Sequence, residues 1–66
     1  MAKKCAPMAA MRNKRKALGL KQEELAKMVG VGQNDISRYE IGESFPKRDT
    51  LKRLAAALGC TVDELI

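Results

Sequence analysis

The chain has no histidine and no tryptophan, one tyrosine (Tyr39), one phenylalanine (Phe45), two prolines and two cysteines. Without histidine there is no imidazole base for a Ser–His or Cys–His nucleophile and no imidazole ligand for a zinc site. Cys5 and Cys60 lie near opposite ends of the chain and form no C-x-x-C pair, so neither a thiolate metal site nor a dithiol redox centre can be assembled. They read as reduced thiols of a cytoplasmic protein. No stretch approaches the roughly 20 apolar residues of a membrane helix, and Met1–Met11 lacks the apolar core of a secretory signal. Alternation of apolar and polar residues is missing and β-branched residues are few, which argues against strands. A catalytic constellation is missing too, so the expectation is a protein that is not an enzyme and carries no metal or cofactor.

The N-terminal third also lacks acid. Residues 1–22 hold Lys3, Lys4, Arg12, Lys14, Arg15, Lys16 and Lys21 and no Asp or Glu. The net charge of +5 and the pI near 9.6 therefore have one strongly basic source, which suits a polyanionic partner.

What is present is helical punctuation. With 66 residues, 45% of them hydrophobic, the chain makes one domain with a thin core. Gly19, Gly30, Gly42 and Gly59 each follow a stretch of 3.6-residue periodicity and read as helix stops. The spacing predicts five helices: Pro7 to Leu18, Gln22 to Val29, Gln33 to Ile41, Arg48 to Leu58, and a short last one opened by the capping box Thr61-Val62-Asp63-Glu64. The expected apolar faces are Met8, Met11 and Leu18; Leu25, Met28 and Val29; Ile36 and Tyr39; Leu51, Leu54, Ala55 and Leu58; and Val62 with Leu65. Residues 1–6 read as a flexible N-terminus and residues 7–66 as the domain.

The informative segment is QEELAKMVGVGQNDISRYEI, residues 22–41. Two short helices flank Gly30-Val31-Gly32. Ala26 is small where the helices cross, and Leu25, Val29, Val31, Ile36 and Tyr39 fill the angle between them. With Ile36 and Tyr39 inward, Gln33, Asn34, Ser37 and Arg38 point outward. Gln and Asn can pair bidentately with adenine and Arg with guanine, so this face suits base edges in a major groove. Asp35 is an acid on the same helix; it repels phosphate unless it accepts from a cytosine amine.

The chain resembles the Xre family of helix-turn-helix regulators, which includes the lambdoid phage repressors and Cro proteins. The residues that carry the resemblance are Arg15, Gly19-Leu20, Gln22-Glu23-Glu24-Leu25-Ala26, Val29-Gly30-Val31, Ile36-Ser37-Arg38, Glu40, Gly42, Pro46, Thr50-Leu51, Leu54-Ala55, Ala57-Leu58-Gly59 and Val62-Asp63-Glu64-Leu65. It implies an all-α, five-helix domain that binds double-stranded operator DNA on a two-fold site, as a repressor more often than an activator. By the resemblance Gln33, Asn34 and Arg38 read bases, and Gln22 contacts a phosphate and braces the first reading residue. Ser37 falls at a backbone-contact position, and Lys21, Lys47 and Arg48 join the backbone candidates. Arg15 and Glu40 fall where the family places an ion pair joining the first helix to the end of the third. Lys21 and Gly32 replace the usual capping Ser or Thr. A homodimer through the C-terminal helix is implied, with Val62, Leu65, Ile66 and Phe45 at the interface; no membrane or small-molecule partner is. The alternative in another class is a protein-interaction module, such as an antitoxin or co-regulator subunit, with secondary DNA binding.

Overall fold

A computed structural model describes residues 7–66. The expectations for the flexible N-terminus, residues 1–6, and for the Cys5 thiol lie outside the described residues. The elements in order are α1 (Ala9–Ala17), α2 (Gln22–Val29), α3 (Gln33–Ile41) and α4 (Arg48–Leu58), with no strand among the described residues. The all-α architecture holds, with four helices among the described residues in place of five. No helix among the described residues is long and apolar enough to cross a membrane.

The first helix starts later than Pro7 because a tertiary bond competes. The buried Met8 sits outside the helix (φ −88°, ψ 69°), and its N–H donates to the Tyr39 carbonyl oxygen at 3.2 Å. At the other end α1 unwinds through a Schellman motif. The Gly19 N–H donates to the Lys16 carbonyl and the Leu20 N–H to the Arg15 carbonyl, each at 3.0 Å. That turn sends Leu20 toward the core and leaves Leu18, expected inside, 54% exposed. In α2 the buried stripe is Leu25, Ala26 and Val29. Ala26 widens it to one side only, so Met28, on the other side, faces solvent and does not join the core as its spacing suggested.

Neither Lys21 nor Gly32 caps its helix with a side chain. Instead the third residue of each helix reaches back. Glu24 Oε1 accepts from the Lys21 N–H at 2.8 Å, and Asp35 Oδ2 accepts from the Gly32 N–H at 3.2 Å. Both carboxylates also sit where the helix dipole is positive.

The predicted fifth helix does not form. Over Thr61–Leu65 two i→i+3 bonds close a single turn, Glu64 N–H to the Thr61 carbonyl (3.2 Å) and Leu65 N–H to the Val62 carbonyl (2.9 Å). A helix nucleus fixes several residues for each hydrogen bond gained, and these two bonds do not extend into the i→i+4 ladder that would recover that cost. Half of the capping box is present, with Thr61 Oγ1 accepting from the Glu64 N–H at 3.3 Å. Glu64 spends its carboxylate elsewhere, on Lys14 Nζ at 3.2 Å. The turn stays attached because Leu65 is 2% exposed, joining Met11, Leu25, Ile36 and Leu54 at the centre of the core. Of the four residues expected at a dimer interface, Leu65 is thus taken by the core and Val62 is half-buried against it, while Phe45 and Ile66 are exposed.

Candidate nucleic-acid interface

The α2–α3 angle is set by one residue with no side chain. Gly30 lies at φ 84°, ψ 30°, and its N–H closes α2 on the Ala26 carbonyl at 2.8 Å. In this left-handed region an L side chain costs roughly 1–2 kcal/mol. The chain turns there, Val31 folds back against the core, and Gly32 starts α3 in extended conformation (φ −80°, ψ 155°). α2 packs more extensively on α3 than on any other helix.

Three residues hold α3 from within: Ile36, Tyr39 and Glu40 are all buried. On the opposite side Gln33, Asn34 and Arg38 are exposed and Ser37 is half-buried. The four base- and backbone-directed candidates on α3 therefore share one accessible face. Asp35 lies beside them, but its carboxylate is engaged by the Gly32 N–H, so the helix start itself partly satisfies the acid. The same carboxylate acts on Tyr39. Burial first, and then the charge of Asp35, push the Tyr39 phenol above its ordinary value near 10.

Beneath this face lies a buried charged network. Arg15 Nε donates to Glu40 Oε2 at 2.7 Å and Arg15 Nη2 to Glu40 Oε1 at 3.1 Å, a bidentate pair between residues 7% and 6% exposed. The third guanidinium nitrogen, Nη1, donates to the Leu20 carbonyl at 2.7 Å. Gln22 Nε2 donates to Glu40 Oε1 at 3.0 Å. Two of these links, to Leu20 and to Gln22, were not anticipated from the residue pattern, because neither follows from a helical repeat. The expected brace between Gln22 and Gln33 is not among the hydrogen bonds of the described residues. The amide nitrogen of Gln22 is held by the deeper and negatively charged acceptor instead.

Of the remaining candidates, Lys21 is exposed at the N-cap of α2, and Lys47 and Arg48 are exposed at the start of α4. Arg48 also walls a shallow groove with Phe45, Leu51, Lys52, Val62 and Ile66. Among the described residues no group of His, Cys, Asp and Glu is placed to hold a metal ion.

Two helices joined at a left-handed glycine, the second anchored by Ile36 and Tyr39 beneath a polar outer face, define a helix-turn-helix domain. The helix-turn-helix family pattern matches residues 11–65, and the chain belongs to that family. Among its relatives, the repressor protein C2 of Salmonella phage P22 is 41% identical over 56 residues, which cover 85% of this chain and 26% of that protein. The cryptic phage CTXphi transcriptional repressor RstR of Vibrio cholerae serotype O1 is 36% identical over 53 residues, covering 80% of this chain and 47% of the relative. The chain thus spans less than half the length of these curated relatives. The crystal structure of the P22 c2 repressor in complex with a synthetic operator superposes with a TM-score of 0.88 at 39% identity, covering 92% of this chain and 94% of that one.

Proposed function

We propose that the chain binds double-stranded DNA as the reading domain of a sequence-specific transcriptional regulator, a repressor, with α3 in the major groove. The observation that carries this reading is the division of α3 into a buried side of Ile36, Tyr39 and Glu40 and an exposed side of Gln33, Asn34 and Arg38. The likeness to a repressor solved on its operator supports it, as does the basic excess. Gln33 and Asn34, at the leading end of α3, offer amide pairs to adenine, and Arg38 offers its guanidinium to guanine. Lys21, Gln22, Ser37, Lys47 and Arg48 hold the phosphates; each phosphate neutralised steepens the salt dependence by about 0.9 in log–log slope.

One such module covers only about 600–1,000 Å² on DNA, so two copies on half-sites about 34–36 Å apart complete the reading. The surface for the second copy is the groove of Phe45, Leu51, Val62 and Ile66, formed by α4 and the C-terminal turn in place of a fifth helix. The exposure of Phe45 (45%) and Ile66 (70%) favours it.

The test is selection of bound duplexes from a random pool, followed by affinities for Gln33→Ala, Asn34→Ala and Arg38→Ala. Each substitution is expected to cost about 1–3 kcal/mol and to relax preference at a single base position. A chain with no preference among duplexes, or variants that bind as tightly as the parent, would refute the reading.

A further inference from the structure

The Glu40 carboxylate does more than pair with Arg15. It is nearly sealed, with its side chain 3% exposed, and it accepts three hydrogen bonds: two from Arg15 and one from Gln22 Nε2. A carboxylate only accepts, so the amide end that faces it must be the NH2 group. Flipping the Gln22 amide would set its oxygen against the carboxylate oxygen now 3.0 Å from Nε2 and forfeit a charge-assisted bond. Glu40 has no freedom to follow such a flip. Its second oxygen is bound by Arg15 Nε at 2.7 Å, and Arg15 is itself fixed to the Leu20 carbonyl at 2.7 Å.

We propose that Glu40 is a positioning residue for DNA binding, whose carboxylate dictates which way the Gln22 amide faces and ties that amide to the reading helix. The inference rests on the DNA-binding reading above. Gln22 is the first residue of α2 and only half-buried. With one N–H committed inward, it presents its second N–H outward, next to the first-turn backbone N–H groups that a helix start leaves without partners. That is a donor set for one phosphate. Because Glu40 belongs to α3, 18 residues from Gln22, a phosphate gripped at α2 is mechanically joined to the helix that carries Gln33, Asn34 and Arg38. The phosphate contact thereby sets the depth of the base contacts.

The experiment is a double-mutant cycle on binding to the selected duplex, with Gln22→Ala and Glu40→Asp. The aspartate keeps a charge for Arg15 and withdraws the carboxylate by one methylene. Gln22→Ala is expected to weaken binding roughly three- to tenfold in the parent and less than twofold in the Glu40→Asp background. A purely structural role for Glu40 would leave the two penalties equal, and equal penalties overturn the proposal. NMR of the DNA-free parent gives a measure that needs no variant. One Gln22 side-chain amide proton should lie downfield of its random-coil position and exchange slowly; a pair of protons at random-coil positions with fast exchange would also overturn it. A parent that binds duplex DNA while Gln22→Ala binds equally well sinks this inference alone. A parent that binds no duplex sinks the DNA-binding reading, and the inference with it.

Discussion

Replacing Arg15 with methionine keeps most of the side-chain length and deletes the charge. Glu40, 6% exposed in the intact fold, would then keep the Gln22 amide as its remaining side-chain donor, and the Leu20 carbonyl would lose its side-chain partner. Breaking one member of a buried pair costs about 3–5 kcal/mol, because the surviving charge stays desolvated without compensation. A chain of 66 residues has a total stability of roughly 3–10 kcal/mol. Each kcal/mol moves the midpoint of so small a domain by about 4–8 °C. Arg15→Met should therefore lower the melting temperature by at least about 12 °C, and in a marginal background leave the chain unfolded at room temperature. The double variant Arg15→Met, Glu40→Leu removes the stranded charge and should recover most of the loss, keeping a deficit of about 1 kcal/mol for the Leu20 carbonyl. The exposed Lys14–Glu64 pair, with side chains 36% and 50% exposed, provides the internal contrast: Lys14→Met should change stability by less than about 1 kcal/mol. Thermal and urea unfolding followed by circular dichroism measure all three. If Arg15→Met costs no more than Lys14→Met, or if the double variant is less stable than the single, the reasoning about burial is wrong.

Other expectations follow from single features. Gly30→Ala forces a Cβ into a backbone held at φ 84° and should destabilise by about 1–2 kcal/mol, even though the nearest atom to that Cβ, Arg53 Nη1 at 3.8 Å, leaves it room. Leu65→Ala should cost about 2–5 kcal/mol in denaturant unfolding, because the terminal turn is attached through that side chain. The Tyr39 phenol has its folded value raised above the unfolded one, so its contribution is complete below about pH 10 and is lost as pH rises through the folded value. Stability measured between pH 9 and 12 should fall in the parent. It should fall less steeply in Tyr39→Phe, and Asp35→Asn should move the phenol titration, read by ultraviolet absorbance, downward.

Much of the frame was legible in the residues because it depends on local rules. The limits of α2, α3 and α4 follow from apolar spacing and from the glycines that end each helix, and they match the structure residue for residue. The inward pair Ile36 and Tyr39 is fixed by the helical repeat, so the outward side of α3 is readable from the residues alone. Errors arose where another segment competed. Leu18 has the right spacing for the core, but the turn after α1 delivers Leu20 in its place. Met28 has the right spacing too, but Ala26 moves the buried stripe away from it. The last capping box is a valid start signal, but the Glu64 carboxylate turns to Lys14 and the backbone over Thr61–Leu65 closes i→i+3 bonds in place of a helix.

By itself, the sequence determined an all-helical domain, the two-helix unit over residues 22–41 and the polar face of its second helix, since these rest on periodicity and on backbone preferences within a few residues. The tertiary structure alone decided the partners of isolated polar groups. Gln22 joins Glu40 beside the Arg15 already paired with it, and the Met8 N–H is pinned to the Tyr39 carbonyl near the end of α3. A buried donor or acceptor must be satisfied by whatever the fold brings within about 3 Å, and residues 18, 25 or 31 positions apart carry no local sign of that proximity.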